Sequence, residues 1–263
     1  MRPSWSTGPA APSERRYSAA VLTAWLVLPT FNEADNIEAI VRAALSQLAA
    51  VTNEHHVLVV DDASPDGTGE IADRLAAELD PVEVIHRGAK AGLGRAYLAG
   101  FGHALRAGAD LVLEMDADFS HDPADLPRLI TGAEEADLVL GSRYVPGGRV
   151  VNWGLARRLL SRGGSLYART LLGVPVRDLT GGFKCFRREV LERINLAEVH
   201  ADGYGFQIEL TYRALVAGFQ VREIPVVFHE RRAGASKMST RIALEALWKV
   251  PALRLRRGDR PAS

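Results

Sequence analysis

From residue 24 to about residue 142, short apolar runs alternate with segments of helical period. The apolar runs are Trp25–Leu28, His56–Val60, Val82–His86, Asp110–Met115 and Asp137–Leu140, and the segments between them are Ala34–Leu48, Gly67–Leu79, Gly92–Ala107 and Pro123–Gly132. Brief apolar strands spaced by helices predict βαβ units. The fold class is therefore α/β, with a buried, mostly parallel central sheet flanked by helices. In such sheets ligands sit beyond the carboxyl ends of the strands, so the residues that follow each strand are where function is sought. Beyond residue 143 the pattern is irregular and basic: helices are expected at Leu155–Leu172 and Phe206–Ala217, a strand at Gln220–Phe228 and a last helix at Thr240–Arg257. Residues 1–20, rich in Pro, Ser, Gly and Ala, are expected to be a disordered tail. One folded domain is expected over 21–239, followed by a C-terminal amphipathic helix and tail over 240–263.

The formal net charge is +0, yet the charges are unevenly placed. Residues 1–140 carry 10 Lys+Arg against 22 Asp+Glu, and residues 141–263 carry 22 against 10, giving −12 and +12. An acidic half suits a bound cation and a basic half suits phosphates. Nucleic acid is disfavoured, because the aromatics are not interleaved with the basic clusters and the acidic half would repel a polyanion. The single cysteine, Cys185, excludes a disulfide framework and a cysteine-rich metal site. No stretch reaches the roughly 18 apolar residues that span a bilayer. Arg15-Arg16 and the apolar run Ala19–Leu28 are similar to a short secretory signal. The run lacks a small-residue cleavage site and leads into Pro-Thr-Phe-Asn-Glu, so it reads as a first strand.

Three strand ends are loaded with polar residues: 28–33 (Leu-Pro-Thr-Phe-Asn-Glu), 59–68 (Val-Val-Asp-Asp-Ala-Ser-Pro-Asp-Gly-Thr) and 114–118 (Glu-Met-Asp-Ala-Asp). In extended backbone residues i and i+2 face the same side, so Asp116 and Asp118 are expected to converge. A hard divalent cation relieves the repulsion of two such carboxylates and takes its other ligands from water and phosphate oxygens. A solvated turn with a helix cap is the plainer alternative. At the second strand end, Ser64 to Thr68 is expected to cap the next helix, leaving Asp61 and Asp62 to accept hydrogen bonds from a base or ribose. Gly92-Leu-Gly94 opens a helix but follows the third strand and lacks a third glycine, so close packing fits it better than dinucleotide binding. Arg143, Arg157-Arg158, Ser161-Arg162 and Arg231 to Lys237 are candidate phosphate ligands, against a solvated surface role for each. His121 is near enough to the acidic pair to ligate metal, and equally suited to a capping role.

These motifs, with Gly-Ser-Arg-Tyr (141–144), Asp-Leu-Thr-Gly-Gly-Phe (178–183), Gly-Tyr-Gly-Phe-Gln-Ile-Glu (203–209) and Gly-Ala-Ser-Lys (234–237), occur in one order over residues 24–240. In that order they resemble the dolichol- or polyprenol-phosphate mannose synthases, inverting glycosyltransferases of family 2 with a GT-A fold, and especially the actinobacterial polyprenol monophosphomannose synthase domain. The resemblance implies a GT-A catalytic domain over 21–239 that transfers mannose from GDP-mannose to a polyprenyl phosphate. It implies that Pro29, Phe31, Glu33, Val60 and Asp62 line the guanosine site. Asp116 and Asp118 would hold Mg²⁺ or Mn²⁺ on the diphosphate, with Ala117 touching the nucleotide through its backbone. Ser120 falls where some members place a glutamine metal ligand. Arg143, Arg157 and Ser161 would meet the lipid phosphate, and Arg231 and Lys237 would clamp the nucleotide phosphates. The partners so implied are both substrates, a membrane surface touched peripherally on the inner face of the plasma membrane from the cytoplasm, and an anchoring membrane protein.

A phosphate monoester is already anionic at neutral pH, so this chemistry needs no dedicated base. The apolar residues Ile242, Leu244, Leu247, Trp248 and Leu253 beside terminal arginines suggest that helix 240–257, kinked at Pro251, lies in the membrane interface; core packing is the alternative. Two rival functions stand beside the main one: a glucosyltransferase using UDP-glucose on the same acceptor, and a non-catalytic nucleotide-binding subunit of a membrane complex.

Overall fold

The computed structural model describes residues 22–199, 203–230 and 250–254. The first half runs β1 (Thr23–Thr30), α1 (Ile37–Ala49), β2 (Glu54–Asp61), α2 (Thr68–Glu78), β3 (Val82–His86), α3 (Leu93–Arg106), β4 (Leu111–Glu114), α4 (Leu126–Gly132) and β5 (Leu138–Ser142). The second half follows with β6 (Arg149–Val150), α5 (Leu155–Leu172), β7 (Lys184–Arg187), α6 (Arg188–Arg193), α7 (Gly203–Val216), β8 (Val221–Pro225) and β9 (Val227–Phe228). Seven strands form one sheet in the order β3-β2-β1-β4-β7-β5-β8, while β6 and β9 pair as a separate parallel ribbon. All neighbours in the large sheet are parallel except β7, which is antiparallel to both β4 and β5.

Successive strand side chains point to opposite faces, and β1 shows how this divides the core. Ala24, Leu26 and Leu28 join one buried cluster with Ile37, Ile40 and Val41 of α1 and Leu129 and Ile130 of α4. Trp25 and Val27 join the other with Tyr97 and Phe101 of α3 and with Phe206 and Leu210 of α7. The result is three layers with helices on both faces. Gly100 lets α3 sit close to the sheet: a Cβ there would overlap the Val27 side chain and press on Val60.

The expected strands and helices of the first half are all present, with ends shifted by a few residues. Three elements of the second half are additional to those expected: β6, β7 and α6. The expected strand Gln220–Phe228 divides after Pro225. Beyond it the Val226 N–H still bonds the Ser142 carbonyl, and the chain then pairs with β6. Chain order reverses direction across the sheet between β1 and β4, and at such a switch point the carboxyl ends of adjacent strands open a crevice.

Candidate active site

The loops after β1 and β2 are laced together. The backbone N–H of Glu33 donates to the Thr68 hydroxyl (2.9 Å), that of Ala34 to Asp66 (3.0 Å) and that of Asn32 to the Ser64 hydroxyl (3.0 Å). Asp61 is consumed by this lacing, accepting from Thr30 Oγ1 (3.0 Å) and from Ser64 N and Oγ (3.1 and 2.6 Å). The expectation that both aspartates stay available for a nucleoside is therefore corrected for Asp61. Asp62 accepts from Arg87 (2.6 Å) and from the Ala91 N–H (3.2 Å), and Lys90 lies 3.9 Å from the centroid of the Phe31 ring. Arg87 and Lys90 thus join the loop after β3 to this corner. The sequence reading missed both, since no motif surrounds them. Pro29 is buried, Glu33 accepts from Asn36 (3.0 Å), and the Val60 side chain is fully buried in the core.

β4 stops at Glu114, two residues before Asp116, and residues 117–118 form a turn. Strand alternation consequently does not orient the acidic pair; a turn does, with Phe119 in the left-handed region at φ 58°. Asp118 accepts from the Ser120 N–H (2.9 Å), and Asp116 accepts from the Tyr97 hydroxyl (3.2 Å). Burial, together with the charges of Asp116, Glu114 and Asp118, raises the Tyr97 phenol well above its ordinary pKa, so these acids crowd around one buried hydroxyl. Ala117 is buried. Ser120 Oγ is buried with no hydrogen-bond partner among the described residues. Two carboxylates and an unmatched hydroxyl are hard oxygen donors, which fit a divalent cation that completes its shell with phosphate and water. No group of three or more His, Cys, Asp and Glu side chains suited to metal occurs among the described residues, so protein ligands alone would not fill the shell. His121 is stacked on Phe183 (4.9 Å) and edge-on to Phe228 (5.0 Å), with Nδ1 3.5 Å from the Asp116 amide; it packs behind the loop.

The end of β5 presents Arg143, which is only 5% exposed. Its Nε and Nη2 donate to the two oxygens of Asp178 (2.7 Å each), Nη2 also reaches Thr180 Oγ1 (2.8 Å), and its backbone N–H donates to Asp178 (2.9 Å). Asp178 is seated in turn by Glu223, which accepts from the N–H groups of Arg177 and Asp178 (2.8 and 2.9 Å). Burial pushes the Asp178 carboxyl up, and Arg143 more than offsets this, holding it below the ordinary value. Arg157 lies 4.1 Å over Trp153, and Arg143 lies 5.7 Å from the same ring and 5.3 Å from Phe228. Ser161 accepts from the Tyr144 hydroxyl (2.7 Å). The aromatics are thus interleaved with these arginines in space, although not in sequence. Arg157 Nε has no hydrogen-bond partner among the described residues, and its nearest carboxylate, Glu230, is 3.7 Å away.

The segment at Phe228 joins the acidic and basic walls. Its ring meets His121 on one side and Trp153 (5.2 Å) on the other, and the next residue, His229, donates its N–H to the Ser120 carbonyl (3.0 Å). Phe228 and His229 thus connect the loop that carries Asp116, Asp118 and Ser120 with the cluster around Arg143 and Trp153, on which Arg157 lies. Arg231 and Lys237, and residues 240–249 of the last expected helix, lie outside the described residues. Within 250–254, Val250 is buried and Leu253 packs on the core.

The Glycosyl transferase family 2 profile matches residues 25–194. The polyprenol monophosphomannose synthase of Mycolicibacterium smegmatis is 51% identical over 227 residues, 86% of this chain and 84% of that protein. The undecaprenyl-phosphate mannosyltransferase of Micrococcus luteus is 47% identical over 224 residues, 85% of this chain and 90% of that protein. Among solved structures, the glucosyl-3-phosphoglycerate synthase of Mycobacterium tuberculosis, in complex with Mn²⁺, uridine diphosphate and glucosyl-3-phosphoglycerate, superposes with a TM-score of 0.65. That match is 23% identical and covers 100% of this chain and 88% of that one. The three-layer fold is of the GT-A type. With a site on the carboxyl ends of its strands, a profile match over most of the sheet and two relatives near half identity, the chain belongs to glycosyl transferase family 2 and is a glycosyltransferase.

Proposed function

We infer that the chain transfers mannose from GDP-mannose to a polyprenyl phosphate, inverting the anomeric carbon. The observation that carries this reading is the bridge at Phe228, which sets the Asp116–Asp118 turn beside the Arg143–Arg157 cluster. Two phosphorylated substrates repel unless cationic groups stand at both. The acidic turn suits a metal-bound diphosphate, and the arginines suit the acceptor phosphate. The names of the two curated relatives agree with both sugar and acceptor.

In this reading the loops after β1 and β2 hold the nucleoside, through Phe31, Glu33 and Asp62. Asp116, Asp118 and Ser120 hold Mg²⁺ or Mn²⁺, which when bound neutralises charge on the departing diphosphate. Arg157 and Ser161 seat the acceptor phosphate, and Arg143 orients it from a fixed position. The already ionised phosphate oxygen attacks the anomeric carbon from the face opposite the diphosphate, so positioning and charge stabilisation supply the rate. Arg231 and Lys237 are assigned to the nucleotide phosphates. The site works peripherally on the cytoplasmic face of the plasma membrane, with a membrane protein as anchor, because its acceptor is a lipid and its donor a polar nucleotide sugar. No helix of the described residues is long and apolar enough to cross a membrane.

The test is incubation with labelled GDP-mannose, divalent cation and polyprenyl phosphate, followed by organic extraction. Label is expected in the lipid phase from GDP-mannose and not from UDP-glucose. It should be abolished by excess EDTA and reduced about 10²-fold or more by Asp118→Asn. Full activity in EDTA overturns the reading.

A further inference from the structure

Asp116 lies beyond the end of β4, where no sheet register fixes its direction, and it is only partly buried. A carboxylate so placed can turn toward water as readily as toward a partner. The Tyr97 hydroxyl reaches it from α3, donating to Asp116 Oδ1 at 3.2 Å. Tyr97 is fully buried, and a buried phenol needs a partner for its hydroxyl. The bond therefore satisfies the tyrosine and restrains the aspartate together.

The surroundings of Tyr97 fix where that hydroxyl lies. Its ring is stacked parallel to Phe206 of α7, with centroids 5.9 Å apart and planes 5° apart, and is tilted against Phe101 of α3 (5.7 Å). Gly100 and Phe101 share the face of α3 that carries Tyr97, three and four residues on. At Gly100 the helix comes so close to Val27 that a Cβ would overlap it, and Val27 is the register partner of Glu114, the last residue of β4. The close approach thus brings α3 to the strand end from which the acidic turn starts. Two acids on one turn repel, and each must be held for both to face one cation. We propose that Tyr97 is a positioning residue for the divalent cation on the nucleotide diphosphate, holding Asp116 in the orientation that accepts the metal. The proposal rests on the metal-bound diphosphate inferred above and adds a residue from outside the acidic turn. It also gives Phe206, in the 203–209 segment, a task that needs no contact with substrate. Groups that orient a ligating carboxylate from behind matter nearly as much as the ligand, and losing one typically costs about 10- to 100-fold in metal affinity.

The experiment titrates Mn²⁺ into the full chain at saturating GDP, reading free Mn²⁺ by electron paramagnetic resonance, for the parent, Tyr97→Phe and Asp116→Asn. Phenylalanine keeps the ring and removes only the hydroxyl. The Mn²⁺ Kd of Tyr97→Phe is expected to rise about tenfold or more. Metal-free GDP binding and the acceptor KM should be unchanged, and transfer lost at low Mn²⁺ should return at high Mn²⁺. A hydroxyl with a purely structural role would lower the urea midpoint and leave the Mn²⁺ Kd where it was. That result, with Asp116→Asn raising the Kd, overturns the proposal. An unchanged Kd in both variants overturns the metal reading itself, so the two failures are distinguishable.

Discussion

Arg143 and Asp178 are a buried pair in which each side chain fixes the other, and the pairing changes what Arg143 offers. The sequence suggested a bare cation for the acceptor; the structure shows a guanidinium whose charge is offset and whose orientation is set by Asp178 and Thr180. Asp178→Asn leaves the arginine without its counter-charge and is expected to destabilise the fold by about 3–5 kcal/mol, read as a lower urea midpoint. Transfer should drop while GDP-mannose binding is retained. The pH dependence has a definite sign. The folded carboxyl lies below its unfolded value, so its contribution is present above the ordinary carboxylate pKa of about 3.9 and is lost as pH falls through the folded value. Acid unfolding of Asp178→Asn should therefore lack part of the dependence seen in the parent. Cys185 behaves oppositely: burial pushes its thiol up to about 12, so it should resist alkylation at pH 8 until urea exposes it. At this scale the motif Asp-Leu-Thr-Gly-Gly-Phe was visible in the sequence, but its task was not. Asp178 and Arg143 are 35 residues apart, and only the fold sets them together.

β7 is the element that sequence periodicity could not find. Lys-Cys-Phe-Arg is charged at both ends and has no apolar run, yet it lies in the middle of the sheet. Lys184 is fully buried and is accommodated because its register partner on β4 is Glu114, 3.1 Å away and equally buried. Burial pushes the Glu114 carboxyl up and the Lys184 amine down, and their mutual attraction opposes both shifts. Lys184 also donates to the Gln207 carbonyl on α7 (3.2 Å), tying sheet to helix. Lys184→Met should lose about 3–5 kcal/mol, because Glu114 is left charged and unpaired; adding Glu114→Gln should restore a large part of it. A loss in the double variant equal to the sum of the two single-variant losses would mean that the pair carries no coupling. The parallel strands β1, β2, β4 and β5 were legible for the converse reason: each carries an apolar run buried on both faces. Gly148 shows the same limit in a loop. A Cβ there would collide with the Ser142 carbonyl and the Arg143 backbone, a constraint no local pattern announces. Gly148→Ala should disturb Arg143, and with it acceptor use.

At the scale of the whole molecule, the described parts of the acidic first half and of the basic second half share one seven-stranded sheet rather than forming two bodies. The acidic half supplies the loops after β1, β2 and β4; the basic half supplies α5 and the segments that cradle Arg143. Antiparallel β7 joins them, since it sits between β4 and β5 and its preceding residues, 178–183, enter from the crevice side. Charge count overstates the contrast between the two halves. Asp62 is paired with Arg87, and Arg143 with Asp178, so part of each excess is spent inside its own wall. If the walls serve separate substrates, their variants should separate kinetically. Asp116→Asn should abolish the metal-dependent part of GDP-mannose binding in calorimetry. Arg157→Ala should leave donor Kd within about twofold while raising the acceptor KM by about tenfold, the loss expected for one charge-assisted phosphate contact. The Phe228 ring is the exception, because it touches both walls. Phe228→Ala should impair donor and acceptor use together, and its effect should be non-additive with Arg157→Ala, whereas Asp62→Asn and Arg157→Ala should add. Additivity in both combinations would show that the two walls act independently, and that the contact through Phe228 is packing alone.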